Sequence, residues 1–336
     1  MGLLGFMAKP SPPAPAPAPR VIVDPEPASV PYLHGAGNTY NPALPILADH
    51  VTTADGSVAH STAGSYVHPS VLDFHSLTPS GKFGGHRYWM ANSEYSKAGN
   101  EDTMILCSAD GYEWWQPAGA KPGPLWRISD HPEQAPSGSG INTDNELAYD
   151  AVTSTLYVYW RQDITEGWCW MSKTTDGITW TLPRRILTAD RMTTVSMSIV
   201  PDGSGGWWMF CWGNRPSRRS APSLEGPWSE PVTVAGLTGW HGGVWRNPAS
   251  GVLYAVGQEN WTLTAKRSTD NGLTWKAASL LLAPKADGWD TRGAYRPTIQ
   301  PHPNGTHFRV WYSTYGLPGP DNRTGYTVIP RAMWGD

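Results

Sequence analysis

Three short stretches of this 336-residue chain repeat one pattern: RSTDNGLTW at 267–275, KTTDGITW at 173–180 and SADGYEWW at 108–115. Each places an aspartate shortly before a glycine and closes on a tryptophan. Aspartate accepts hydrogen bonds from backbone N–H groups in a tight turn, and glycine supplies the positive φ such a turn requires. Each copy therefore reads as a turn closing a hairpin. A fourth copy, SLEGPW around Gly226, is degenerate. A turn written several times in one chain implies a repeated structural unit, and that limits the fold more than any other feature.

The unit becomes visible upstream of each turn. ELAYD begins at Glu146, 30 residues before Asp176; SMSIV begins at Ser196, 30 before Gly226; HGGVW begins at His241, 29 before Asp270. HPSVLDF begins at His68, 42 before Asp110, with the loop-like insertion HSLTPSGKFGG between. YRPTI, from Tyr295, opens a fifth copy. Inside each copy lies an aromatic strand: RYWMA at 87–91, LYVYW at 156–160, GWWMF at 206–210, VLYAV at 252–256 and FRVWY at 308–312. Four short strands repeated every 40–50 residues predict an all-β chain, a five-bladed β-propeller with four-stranded blades. One four-stranded sheet cannot cover both its faces, whereas ringed neighbours cover each other, and large aromatic rings fill the gaps between them. Nineteen tryptophans against five phenylalanines, with 36 glycines and 32 prolines, fit that architecture. No long window carries an apolar period of 3.6 residues, so helix should make up less than a tenth of the chain. GYTVIP at 325–330 should lie in the last blade beside a strand from residues 45–60, closing the ring.

Ahead of the repeats, KPSPPAPAPAPRVIVDPEP alternates proline and alanine, which favours polyproline II and cannot build a core. The division expected is a Pro/Ala-rich N-terminal arm over residues 1–32 and the propeller over 33–336. MGLLGFMAKP has an apolar patch but no basic segment before it and no 18-residue apolar run after it, so neither a signal peptide nor a membrane span is expected. The net charge of −3 leaves no basic face for nucleic acid. Cys107, Cys169 and Cys211 are widely spaced in apolar runs. They read as buried thiols, with no disulfide framework and no metal set, and no cofactor is expected.

The quoted turns are Asp-box turns of the S-x-D-x-G-x-T-W type, the 268–275 copy being a full match. Together with HPSV, YWMANSEY, EDTMILCSADGYEWWQP, NELAYD, LYVYWRQ, YRPTI and RVWYST, they resemble the five-bladed propellers of bacteriophage tail proteins over roughly residues 60–330. Those propellers in turn resemble the arabinanase/xylosidase class of glycoside hydrolases and, more distantly, sialidases. The resemblance implies a virion tail component, made in the host cytoplasm without a signal peptide and present in several copies. It would join other tail proteins through the arm and meet a glycan on the host surface.

In such propellers the first strand of each blade lines a central funnel. That positions His68, Asp144, Glu146, Ser196, Ser198, Trp240, His241, Asp290, Arg292, Tyr295 and Arg296 along it. The ligand site expected at the funnel mouth is built from His68, Asp144, Glu146, Trp240, His241, Tyr295 and Arg296, with aromatic platforms beside charged hydrogen-bonding groups. Glycoside hydrolysis needs two carboxylates flanking the bond. The resembling hydrolases carry an aspartate on blade one, an aspartate on blade two and a glutamate on blade three. Here blade one offers His68 and blade three offers the serines of TTVSMSIV, so the carboxylate set is incomplete. Glu94, Glu101 and Asp102 are further carboxylates of blade one. Three readings stand: a sugar-binding tail module with a degenerate hydrolase-like funnel, an active glycoside hydrolase degrading host polysaccharide, and a structural tail-tip protein. In the last, Arg296 would merely neutralise Asp144 and Glu146 in a packed plug.

Overall fold

The computed structural model describes residues 65–95, 101–111, 114–127, 141–163, 167–188, 194–283, 293–314 and 324–336, and the backbone of three further short strands at 44–47, 50–52 and 58–60. The arm at 1–32, Asp290, Arg292 and the side chain of Glu94 lie outside the described residues.

The strands form five antiparallel blades, and His50–Thr52 and Val58–His60 pair as a separate two-stranded hairpin. Blade two runs Ile141–Asp150, Thr155–Asp163, Trp168–Thr174 and Arg184–Thr188; blade three runs Ser196–Pro201, Trp207–Trp212, Ser217–Ala221 and Val232–Thr233. Blade four runs His241–Arg246, Leu253–Glu259, Thr262–Ser268 and Lys276–Leu282. Blade five runs Ala294–Pro301, His307–Thr314 and Thr324–Pro330, and its fourth strand is Leu44–Leu47, from the other end of the chain. Leu44 pairs with Tyr326 and Leu47 with Thr324, so the ring closes by mixing the two ends in one sheet, as expected. Blade one has three continuous strands, Ser65–Asp73, Tyr88–Tyr95 and Glu101–Ser108. Its outer edge is supplied by bridges from Trp115 to Cys107 and from Trp126 to Thr103. The first strands of the blades touch one another in the order one to five and back to one. Helix among the described residues is limited to two short 3₁₀ turns, Phe74–Ser76 and Arg331–Trp334.

Five separate apolar cores fill the five blade interfaces, and strand alternation explains how one strand serves two of them. Successive side chains point to opposite faces of a sheet. In blade one Tyr88 and Met90 therefore join the core shared with blade five, while Trp89 and Ala91 join the core shared with blade two. In blade two Leu156, Val158 and Trp160 face blade one, and Tyr157 and Tyr159 face blade three. Blade three gives Met209 and Cys211 to one side and Trp208, Phe210 and Trp212 to the other. Both faces are buried, so these strands read as nearly continuous apolar runs. All three cysteines are free and buried.

The repeated turns do two jobs. Asp270 accepts from the Thr274 backbone N–H at 3.0 Å, from the Thr274 hydroxyl at 2.6 Å and from the Ser268 hydroxyl at 2.7 Å. Asp176 accepts from the backbone N–H groups of Ile178 and Thr179, each at 2.7 Å, and from Thr174 at 2.8 Å. Each turn's glycine has positive φ, +79° at Gly177 and +78° at Gly272, and each is pressed against an aromatic of the preceding blade. A Cβ at Gly177 would lie 2.1 Å from Trp89, and one at Gly272 would lie 2.4 Å from Phe210. In blade one the same contact is a hydrogen bond: Trp311 Nε1 of blade five donates to the Gly111 carbonyl at 3.2 Å. The turn thus closes its own hairpin and latches one blade to the next.

Candidate functional site

At the funnel mouth the first strands are not regular. Blade one shifts register between Val67 and Ser70, blade two between Thr143 and Glu146, and blade five between Tyr295 and Pro297. Within two of these bulges His68 (φ 60°) and Asp144 (φ 58°) adopt left-handed backbone, which is uncommon for such residues. A bulge re-aims a side chain at the cost of local strain. Here the bulges turn His68 and Asp144 onto the axis, where His241, the first residue of blade four, meets them.

Asp144, 1% exposed, is the hub. Arg161 Nη2 donates to its Oδ2 at 3.0 Å and Arg296 Nη1 to its Oδ1 at 3.3 Å. His241 Nδ1 lies 3.1 Å and His68 Nδ1 3.9 Å from Oδ1. Burial opposes its ionisation, but the imidazoles of His68 and His241 beside it and the Arg161 guanidinium outweigh burial and hold the carboxyl well below its usual range. Burial also pushes His241 down to about 4, against the pull of Asp144, so its imidazole is neutral at pH 7. His241 Nε2 is 2.5 Å from the Tyr295 hydroxyl. Burial, then the negative charges of Asp144 and Glu101, raise the Tyr295 phenol and keep it protonated. His68 Nδ1 lies 2.8 Å from the Thr143 hydroxyl and 3.3 Å from Glu101, to which Thr143 donates. The rings of His68, His241 and Tyr295 have centroids 4.4–5.4 Å apart.

Arg296 forms the floor of this mouth. It is 1% exposed and donates to the backbone carbonyls of Asn145 and Met197. Glu146 lies beyond it, with Oε2 3.4 Å from Arg296 Nη2. Glu146 accepts from Ser70 at 2.9 Å and from the Ile199 N–H at 3.0 Å. Burial raises it to about 7 despite Arg296 and these hydrogen bonds. Glu146 belongs to a largely apolar pocket of about 290 Å³ lined by Val71, Leu147, Val244 and Trp245. The seven expected site residues therefore divide. His68, Asp144, His241 and Tyr295 cluster at the mouth, Trp240 stands on its rim, and Arg296 and Glu146 pack beneath. Ser198 is structural, donating to the Gly242 carbonyl and accepting from Trp212 Nε1.

Two features were not drawn from the sequence. One ligand-type atom from each of His68, Asp144 and His241 lies within 4.8 Å of the other two, a set able to hold a metal ion, although linear spacing led to the expectation of none. Arg161, the second partner of Asp144, stands in LYVYWRQ, where a cation following a buried aromatic run is a signal for a buried charge pair. Glu101, among the blade-one carboxylates, reaches the mouth, whereas Asp102 lies 3.9 Å from Arg127.

Beside the cluster a cleft of about 800 Å³ opens between blades three, four and five, with Trp240, Trp261 and Tyr295 among its walls. Both tryptophans are 37% exposed. Trp240 stands edge-on to His241 at 6.4 Å, and Trp261 packs on Tyr295 at 5.6 Å.

No protein-family model and no curated protein matches the chain. Solved structures do. An N-acetylgalactosamine deacetylase from F. plautii, in complex with blood group B trisaccharide, superposes with TM-score 0.73 at 19% identity, covering 87% of this chain and 96% of that one. The catalytic domain of Coprinopsis cinerea GH62 α-L-arabinofuranosidase gives 0.57 at 15% identity, covering 85% and 98%. The β-xylosidase RS223 gives 0.58 at 11% identity, covering 78% and 91%. The fold is thus the five-bladed propeller of carbohydrate-active enzymes, including the arabinofuranosidase/xylosidase class anticipated from the sequence. No helix among the described residues is long and apolar enough to cross a membrane.

Proposed function

We propose that the funnel mouth is a metal-assisted hydrolytic site acting on a carbohydrate, with removal of an acyl group as the reaction class. The observation that carries this reading is the convergence of His68, Asp144 and His241. Two imidazoles and a carboxylate on one side of an ion leave positions open for water and substrate. Metal–ligand bonds of about 2.0–2.2 Å place donors on one side of an ion ~3.0–3.6 Å apart; His241 already stands 3.1 Å and His68 3.9 Å from Asp144 Oδ1, and the full spread of 4.8 Å must close by about 1 Å. His241 Nδ1 is buried and faces Asp144 Oδ1 at 3.1 Å, so the two would flank one cation. The other ring nitrogen, Nε2, is held by the Tyr295 hydroxyl, which fixes the orientation of the ring. A bound divalent cation would lower the pKa of a water and polarise a carbonyl. Arg161 and Arg296 keep Asp144 ionised, and Thr143 orients Glu101 beside His68.

A carboxylate-pair glycosidase is less well supported. Asp144 is engaged by two guanidiniums and cannot serve as an acid, and Glu146 lies under Arg296. The same two guanidiniums favour a second reading, a sugar-binding funnel without turnover. Titration calorimetry of the intact chain with Zn²⁺ and Mn²⁺ tests the first. One cation per chain is expected, lost in His241→Ala, with acetate released from N-acetylated polysaccharide. No uptake by the parent refutes it, and glycan binding without product supports the second. The wider setting proposed is a virion tail, with the Pro-rich arm joining the propeller to other tail proteins in several copies.

A further inference from the structure

The backbone of Trp261 breaks a local rule. Asn260 (φ 48°) and Trp261 (φ 63°) form the two-residue turn between Leu253–Glu259 and Thr262–Ser268 in blade four, both in left-handed conformation. Turns of this kind favour Asn–Gly, and a bulky residue at the second position is strained. Strain of this sort persists where the surroundings hold it, and it gathers at ligand sites.

The surroundings hold it here. The Ala294 N–H donates to the Trp261 carbonyl at 2.9 Å. Gly293 packs so closely that a Cβ there would fall 2.4 Å from the Trp261 Cβ. The ring rests on Tyr295, whose hydroxyl touches His241, yet over a third of Trp261 is exposed to the cleft. Most tryptophans of the chain fill blade interfaces, whereas Trp261 and Trp240 flank the His241–Tyr295 pair and face outward.

The polar part of the cleft is neutral overall. Gln258, 5% exposed, is the strand partner of His241, and its Oε1 has no hydrogen-bond partner. Glu259 is neutralised by Lys266, which is itself buried. No other charged side chain lines the cleft among the described residues.

We infer that this cleft is the recognition subsite for a neutral pyranose unit, with Trp261 as the rigid platform for its C–H face and Trp240 as the second wall. The assignment rests on the hydrolytic reading only for what happens next door; sugar recognition stands without it. Apolar C–H faces suit an aromatic wall, and hydroxyl or acetamido groups suit the amide of Gln258 and the edge of Glu259. A carboxylated sugar would meet no unpaired cation among the residues lining the cleft.

The test is Trp261→Gly in the intact chain, read by binding to an array of neutral and acidic bacterial glycans and by melting temperature. Glycine suits the turn, so the melting temperature should hold or rise, while binding to neutral glycans falls at least tenfold. Trp240→Ala should also weaken binding, and cation uptake should be unchanged in both. A failed cation titration with intact Trp261-dependent binding sinks the hydrolytic reading and spares this one. Binding to acidic glycans only, no glycan bound by the parent, or unchanged binding in Trp261→Gly overturns it. A large fall in the melting temperature of Trp261→Gly also overturns it, marking Trp261 as a packing residue.

Discussion

Replacing Gly177 by alanine tests the latch between blades. The new methyl carbon would sit 2.1 Å from Trp89 Cη2 and 2.7 Å from Cζ2, far inside contact distance. Trp89 has no room to yield. It is fully buried, its Nε1 donates to the Phe83 carbonyl at 2.9 Å, and Gly84 packs so near that a Cβ there would be 3.1 Å from the ring. Two costs add. Holding alanine in left-handed backbone costs about 1–2 kcal/mol, and forcing a methyl into a packed core about 1–3 kcal/mol. The variant should lose roughly 2–5 kcal/mol. Gly85 isolates the first cost, because it has φ +87° and open space around its Cβ position. Gly85→Ala should cost only about 1–2 kcal/mol. Urea unfolding at matched pH measures both. In a Trp89→Leu background, where the wall is smaller, Gly177→Ala should fall to the backbone cost alone. Equal losses for Gly177→Ala and Gly85→Ala, or no coupling between Gly177 and Trp89, would refute the latch.

The turn aspartates predict acid sensitivity. Slight burial opposes ionisation of Asp176 and Asp270, but hydrogen bonds from Ile178 and Thr179 to one, and from Thr274 to the other, outweigh it and hold both at about 2. Their folded values lie below their unfolded ones, so the stability they add is present above about pH 4 and is lost as pH falls toward 2. Both are exposed, so each adds less than about 1 kcal/mol in this way; Asp270→Asn should flatten the slope of stability against pH between 4 and 2. Arg296→Ala should cost about 3–5 kcal/mol in chemical unfolding by leaving Asp144 and Glu146 short of a partner, and a cost under ~1 kcal/mol would show that the floor is not load-carrying. A chain starting near Val30 should keep the parent's circular dichroism and melting temperature yet fail to enter particles; normal incorporation would refute the role of the arm.

The architecture was legible because it is written locally. An aspartate, a glycine with positive φ and a tryptophan specify a turn within eight residues, and two-residue alternation specifies which blade a ring faces. The site was legible only as far as topology carries it. Strand starts meet on one axis, which is how the sequence could group His68, Asp144, His241 and Tyr295, and the structure brings these four together. The depth of each along the axis was hidden. Asp144 and Glu146 are two apart and would share a face in a regular strand, but the bulge between Thr143 and Glu146 sends them to opposite sides of Arg296. The close approach of His68, Asp144 and His241 was hidden for the same reason, because they come from three blades and the first two are re-aimed by bulges that no short motif announces. Trp261 was missed because its signal is a misfit, a tryptophan where a turn prefers glycine.

The strand Leu44–Leu47 that completes blade five is paired with residues made about 280 positions later. At synthesis rates of roughly 5–20 residues per second, the nascent protein spends on the order of 14–55 s as an open arc. Both free ends of that arc are unpaired strand edges beside an unfinished core between blades one and five. Two arcs from neighbouring ribosomes present each other with the same complementary ends that one arc presents to itself. Dense crowding of translating copies therefore favours a joined pair at the expense of the closed ring.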